Sequence, residues 1–187
     1  MHSDRTDRPH RPHRPDHPDR TANLLGAAAL AVTDLVLAAA RARGVGPSAA
    51  AALVVLSAAP GITVTELGRR VGLSQSAAVR MVDGLAAAGL AERGGGPGRS
   101  VAVRLTAGGR TSAADLLAAR EAVLSDALAD LSEEDREALT GPLSRLLASL
   151  YGRIGDTELI CRLCDRGRCT TGAPCPVGAA ARAAGDR

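Results

Sequence analysis

The residues best equipped for chemistry in this 187-residue chain are its four cysteines, Cys161, Cys164, Cys169 and Cys175, all within CRLCDRGRCTTGAPC. Their spacing is C-x2-C-x4-C-x5-C. A C-x-x-C step presents two thiolates from one tight turn, and a second pair closes a tetrahedral site. Gly167 and Gly172 let the chain curl between the pairs, while Pro174 and Pro176 stiffen it around the last one. Soft thiolates select zinc or an iron–sulfur cluster. Every histidine, namely His2, His10, His13 and His17, lies in the first twenty residues. A site in the folded part is therefore all cysteine, with four ligands and no open catalytic position. Two disulfides fit a secreted protein, and nothing in the chain suggests export. The expectation is a zinc site, with an iron–sulfur cluster or a metal-free dithiol switch as the alternatives.

The second group with chemical capacity is a set of arginines and small polar residues between Gly61 and Thr106. From Pro60 to Arg110 there are seven Arg and three acidic residues, a balance of +4. Thr63 followed by Glu66 is a capping box and starts a helix. Val64, Leu67 and Val71 then recur at helical spacing, and Gly72 breaks the run. Ser74 caps a second helix in which Ala78, Val82 and Leu85 face inward while Gln75, Ser76 and Arg80 face out, and Gly89 ends it. Two short helices joined by such a turn form a helix-turn-helix, whose second helix lies in a major groove. Leu90 to Arg93 and Ser100 to Leu105 alternate on either side of GGGPG, which makes a β-hairpin, or wing. Arg99 at its tip is placed to enter a minor groove or meet a phosphate. Arg69, Arg70, Arg93 and Arg104 are expected on the DNA backbone, and Ser74, Gln75, Ser76 and Arg80 at the major groove.

This segment resembles the winged helix of the MarR family of bacterial transcriptional regulators. VRLTAGGR, from Val103 to Arg110, resembles the family's LT..G signature leading from the wing into the next helix. The resemblance covers roughly Ala22 to Arg153 and implies a DNA-binding regulator, not an enzyme. It departs at the wing, where Pro97 stands in place of the Asp that usually precedes the reading Arg by two residues. MarR-like proteins often bind small aromatic acids between the dimer helices and the DNA-binding lobe, and no particular effector is implied here. The oxidation switch that some carry in the first helix needs a cysteine this body lacks. The cysteines carry partial likenesses of their own. C-x2-C-x4-C resembles the first three ligands of a zinc knuckle, and Cys175-Pro176 the Cys-Pro that closes bacterial ferredoxin motifs.

The elements that must position these groups follow from pattern. Leu25, Ala28, Val32, Leu35 and Ala39 mark a helix over Leu24 to Arg43, and Pro47 opens the next, through Leu56. After the wing, Thr111 to Leu131 reads as a long amphipathic helix. Ser132 caps another, carrying Leu143, Leu146, Leu147 and Leu150. The fold class is mainly α with a small β-hairpin: a winged helix-turn-helix with long flanking helices. Those helices have more apolar surface than one small domain covers, which implies a two-fold dimer in which the first and last helices interlock. Three parts are expected: a disordered tail (1–21), the winged-helix body (22–155) and the four-cysteine extension (156–187). The body's core is expected to stand without the extension.

Composition excludes other classes. Phe and Trp are absent, Tyr151 is the sole aromatic, and all 23 basic residues are Arg. The Pro-rich leader has nothing apolar to bury and no secretory h-region. The apolar run from Leu24 to Ala40 is expected to be too short to span a bilayer, which points to a cytoplasmic protein with no membrane partner. No nucleophile–base pair is present, so the chain is not expected to be an enzyme. The partners expected are double-stranded DNA and a second copy. The competing readings are a small metal-binding redox protein and a protein–protein adaptor on a winged-helix scaffold.

Overall fold

A computed structural model describes residues 20–95 and 101–185. The order is α1 (Arg20–Arg41), α2 (Pro47–Ala58), α3 (Val64–Val71), α4 (Gln75–Ala87), β1 (Ala91–Gly95), β2 (Val101–Leu105), α5 (Ala107–Ala127) and α6 (Glu133–Ile154). Three short helices follow: α7 (Thr157–Ile160), α8 (Arg166–Cys169) and α9 (Pro176–Ala183). The leader histidines, Pro97, Arg99 and Ser100 lie outside the described residues.

The centre of the body is α2. Ala50 through Leu56 are all buried, as befits a helix that is apolar on every side. Around it pack Val64, Leu67 and Val71 of α3, Ala78, Val82 and Leu85 of α4, Val103 and Leu105 of the wing, and Ala113 and Leu116 of α5. β1 and β2 pair antiparallel with Ala91 opposite Leu105. The segment before α3 adds a short third edge, through Gly61 N–H to the Val103 carbonyl and Val103 N–H to the Ile62 carbonyl, both 2.9 Å.

The LT..G signature has a physical basis here. Thr106 caps α5 by accepting from Gly109 N–H at 3.0 Å, and its hydroxyl donates to the Gly89 carbonyl at 2.6 Å. A Cβ on Gly109 would stand 2.8 Å from the Leu90 carbonyl carbon, so the chain leaving α4 passes where only glycine leaves room. This cap moves the start of α5 to Ala107, four residues before the expected Thr111, and the helix ends at Ala127 instead of Leu131. The strands likewise shift, β1 beginning at Ala91 and running on to Gly95.

One expectation about the flanks is corrected. α1 extends over 22 residues and is long and apolar enough, by length and composition, to cross a membrane. It packs against α5 and α2. The cysteine extension also makes contacts with the rest of the chain. Leu163 packs on the main core, and Tyr151 of α6 is buried with Val177 and Ala181 of α9. Leu147 is partly buried and packs against this second cluster.

Candidate functional site

The outward face of α4 is set by the turn before it. Thr63 accepts from Glu66 N–H at 3.1 Å, Gly72 closes α3 in the left-handed region at φ +73°, and Ser74 accepts from Ala77 N–H at 3.4 Å. α3 and α4 approach closely, since a Cβ on Gly68 would lie 2.7 Å from the Ala78 Cβ. With Ala78, Val82 and Leu85 buried, Gln75, Ser76, Val79 and Arg80 are left exposed on one side of α4. Thr63, Thr65, Gln75, Val79, Arg93 and Val101 line an open groove between α3, α4 and the wing. Arg93 is tied across it, pairing with Asp83 at 2.7 Å and donating to the Val79 carbonyl at 3.4 Å. The Arg104 guanidinium lies over Gly61 and Gly94, 3.3 and 3.2 Å from where their Cβ atoms would be.

Arg69 and Arg70 are both held by carboxylates. Arg69 pairs with Glu66 at 2.8 Å and with Asp156 at 2.5 Å. Arg70 pairs with Glu66 at 2.7 Å and with Glu158 at 3.1 Å. Hydrogen bonds from Arg69 and then Arg70 hold the Glu66 carboxyl at about 2, well below its ordinary 4.5. Arg69 is raised in turn, chiefly by Glu66. Asp156 and Glu158 belong to the cysteine module: Asp156 caps α7, accepting from Glu158 and Leu159 N–H at 2.8 and 3.0 Å. The Glu158 oxygen bound to Arg70 also takes Arg166 at 2.5 Å, so one carboxylate joins the helix-turn-helix to the cysteine loop. Leu159 rests against Gly72 at the turn. A third tie runs from Arg168 to Glu121 of α5, at 2.9 Å.

The module brings the four cysteines together from four short elements. Cys161 follows α7, Cys164 sits in the loop, Cys169 ends α8 and Cys175 caps α9. All four are half-buried and free, and they line two adjoining cavities of about 300 and 400 Å³. The first lies against Val32 and Val36 of α1 and Leu124 of α5. Burial, then the neighbouring Cys175, pushes the Cys161 thiol up to about 11. Burial and two adjacent thiols push Cys169 to about 12, and burial also raises Cys164. Cys175 is likewise desolvated, yet the Gly178 N–H and the thiols of Cys169 and Cys161 hold it below its ordinary value. Hydrogen bonds link Cys169 to Cys164 and Cys175, and Cys175 to Cys161. Among the described residues, no group of three or more His, Cys, Asp or Glu is arranged to hold a metal ion.

Of the residues singled out by sequence, Gln75, Ser76 and Arg80 thus share one exposed face, with Ser74 capping the helix and Arg93 and Arg104 on the wing. Arg99 lies outside the described residues. Three residues of consequence were missed. Val79 falls on the Gln75–Arg80 face, and its helical spacing was a usable signal. Asp156 and Glu158 reach residues more than eighty positions away, for which one sequence offers no sign.

Residues 43–100 match the family model described as MarR family. The MarR family protein Rv2887 of Mycobacterium tuberculosis, solved in complex with DNA, is similar at a TM-score of 0.58 and 26% identity, over 70% of this chain and 98% of that one. Its complex with salicylic acid gives 0.55 and 28%, over 71% and 98%. MepR, a transcription regulator of the Staphylococcus aureus multidrug efflux pump MepA, shares the fold at 0.63 and 17%, over 69% and 97%. Comparison with curated proteins found no match.

Proposed function

We propose that this chain, whose residues 43–100 carry a MarR-family winged helix, is a cytoplasmic, sequence-specific DNA-binding transcriptional regulator that acts as a homodimer and answers to the metal or redox state of its four-cysteine module. The observation that carries the reading is the exposed α4 face. Gln75, Ser76 and Arg80 can hydrogen-bond base edges, and Val79 can meet a thymine methyl. The wing and the start of α3 flank this face as the phosphate-contacting rims of a groove. The DNA complex of Rv2887 supports the same use.

The homodimer is supported by what α1 and α6 leave uncovered. Leu24, Leu25, Leu30 and Leu35 of α1 are exposed, Leu30 at 71%, as are Leu143, Leu150 and Ile154 of α6. A second copy covers both sets in one two-fold interface. It also sets two α4 helices about one DNA turn apart, ~34 Å.

The test is selection from a random duplex library with the full-length protein. A two-fold symmetric site with half-sites one turn apart is the expected product, bound with an affinity that falls steeply with salt. No enrichment and no salt-dependent affinity would favour the adaptor reading, and enrichment of a single half-site would overturn the dimer.

A further inference from the structure

We propose that the four-cysteine module is a zinc site whose ligation holds α7 on α3, and so keeps Asp156 and Glu158 on Arg69 and Arg70. The regulatory half of this inference rests on the DNA-binding reading; the zinc half does not. α7 and α8 have four residues each and α9 has eight, lengths at which isolated helices are unstable in water. The buried core they share is only Tyr151, Val177 and Ala181. Small modules with so little core depend on a crosslink, and a metal that finds its ligands only in the folded state supplies its binding energy to folding. The four thiols provide that crosslink. They come from the end of α7, the next loop, the end of α8 and the cap of α9, and they line the same two cavities. Zinc accepts four thiolates in a closed tetrahedron, which matches a donor set of four cysteines.

Ligation reaches α3 through the two carboxylates of α7, Asp156 on Arg69 and Glu158 on Arg70. Cys161 directly follows α7, and the Glu158 oxygen binds both Arg166, between Cys164 and Cys169, and Arg70 of α3. Exposed ion pairs are too weak to order a four-residue helix alone. Zinc at the far end of α7 keeps it in place. With α7 docked, Arg69, Arg70 and Arg166 share three carboxylates, Glu66, Asp156 and Glu158, a net charge of zero. With α7 released, Arg69 and Arg70 face Glu66 alone, a net of +1. These arginines stand just before the turn that leads to Ser74 and Gln75. Zinc loading therefore lowers affinity for the phosphate backbone, and zinc loss raises it.

The experiment uses full-length protein and a non-specific duplex, since the phosphate term does not depend on sequence. Zinc per chain is measured beside the slope of log affinity against log salt, for the wild type, the chelated wild type, Cys175→Ser, Asp156→Asn/Glu158→Gln and the combined variant. One zinc per chain is expected in the wild type and in Asp156→Asn/Glu158→Gln, and none in Cys175→Ser. The slope should steepen by about 0.9 to 1.8 per protomer in chelated protein, in Cys175→Ser and in Asp156→Asn/Glu158→Gln alike, at ~0.9 per phosphate gained. The combined variant should steepen no further. Zinc-free wild type that also fails to take up added zinc overturns the site. Iron, sulfide and visible absorption in protein purified without oxygen replace zinc by a cluster. Zinc loss with an unchanged slope, in chelated wild type as in Cys175→Ser, overturns the latch. A wild type with no DNA affinity overturns the DNA-binding reading instead, while the zinc count still decides the module.

Discussion

Gly68→Ala sets two effects of opposite sign against each other at the joint that aims α4. Gly68 is inside α3, so alanine there gains about 1 kcal/mol of helix propensity. Its new methyl, however, would stand 2.7 Å from the Ala78 Cβ and 3.5 Å from the Leu73 carbonyl oxygen. Carbon atoms settle at about 3.5–4.0 Å, so the overlap is close to 1 Å. Neither methyl can rotate away, because each is fixed directly to a backbone, and Ala78 is fully buried. The helices must separate, which places the cost at the upper end of the ~1–3 kcal/mol for overpacking. The net is a loss of about 2 kcal/mol, or a Tm lower by ~4–8 °C for a chain of this size. Affinity for a selected operator should fall as well, since α4 is displaced from the wing. The assay is urea unfolding and DNA titration of Gly68→Ala, Ala78→Gly and the double variant, in which the methyl changes helix. The double should recover most of the loss, with a coupling of about 2–3 kcal/mol, the size found for residues in direct contact. A Gly68→Ala protein as stable as the wild type, or additive losses, would refute the close approach of α3 and α4.

Other outcomes follow from the same geometry. Arg80→Ala should cost about 1–3 kcal/mol at one operator position and relax specificity there, as expected for a guanine contact; a uniform loss across sequences would make Arg80 a phosphate contact only. Leu30→Glu should place a charge in the dimer interface without touching either core cluster, so sedimentation should show monomers with native helix content; a stable dimer would remove α1 from the interface. The Glu66 carboxyl is depressed to about 2 when folded, so its stabilising contribution is complete above about 4.5 and is lost as pH falls from there toward 2. Urea midpoints across this window should decline less steeply in Glu66→Gln than in the wild type, and equal slopes would show that the carboxylate is not held by Arg69 and Arg70.

Local chemistry carried most of the legible fold. Thr63, Ser74 and Ser132 all cap the helices that their side chains predict, because a cap acts within three residues of itself. The inward set Ala78, Val82 and Leu85 is buried for the same kind of reason: 3.6-residue periodicity is written in consecutive positions. Sequence failed where the deciding partner is remote. The start of α5 is the exception, since its cap, Thr106 accepting from Gly109 N–H, is local. The packing of Leu147 against Tyr151, Val177 and Ala181 was not legible, because apolar spacing does not say which surface covers it. The clustering of the cysteines was legible, but not their attachment to α3.

That attachment changes what the arginines mean. By composition the winged-helix segment carries +4 between Pro60 and Arg110, a simple electropositive face. In the folded chain Arg93 is matched by Asp83, and Arg69 and Arg70 are matched by Glu66 together with two carboxylates that the segment does not contain. Asp83 and Glu66 are fixed partners, built into the helices they steady. Asp156 and Glu158 differ because they reach α3 on a four-residue helix that ends at Cys161. Under the proposed latch, whatever binds the thiols acts on the charge of the proposed DNA-binding face with little rearrangement of the body. Among the described arginines, Arg80 is exposed on the outward face of α4, where it can read bases in either state. Separating the two tasks in this way, sequence reading on α4 and adjustable phosphate affinity on α3, predicts that zinc changes how tightly the protein binds every duplex without changing which duplex it prefers. Comparing selected operator and scrambled DNA, with and without zinc, measures that ratio directly; a shift in preference greater than the shift in affinity would place the effect on α4 itself and exclude a purely electrostatic latch.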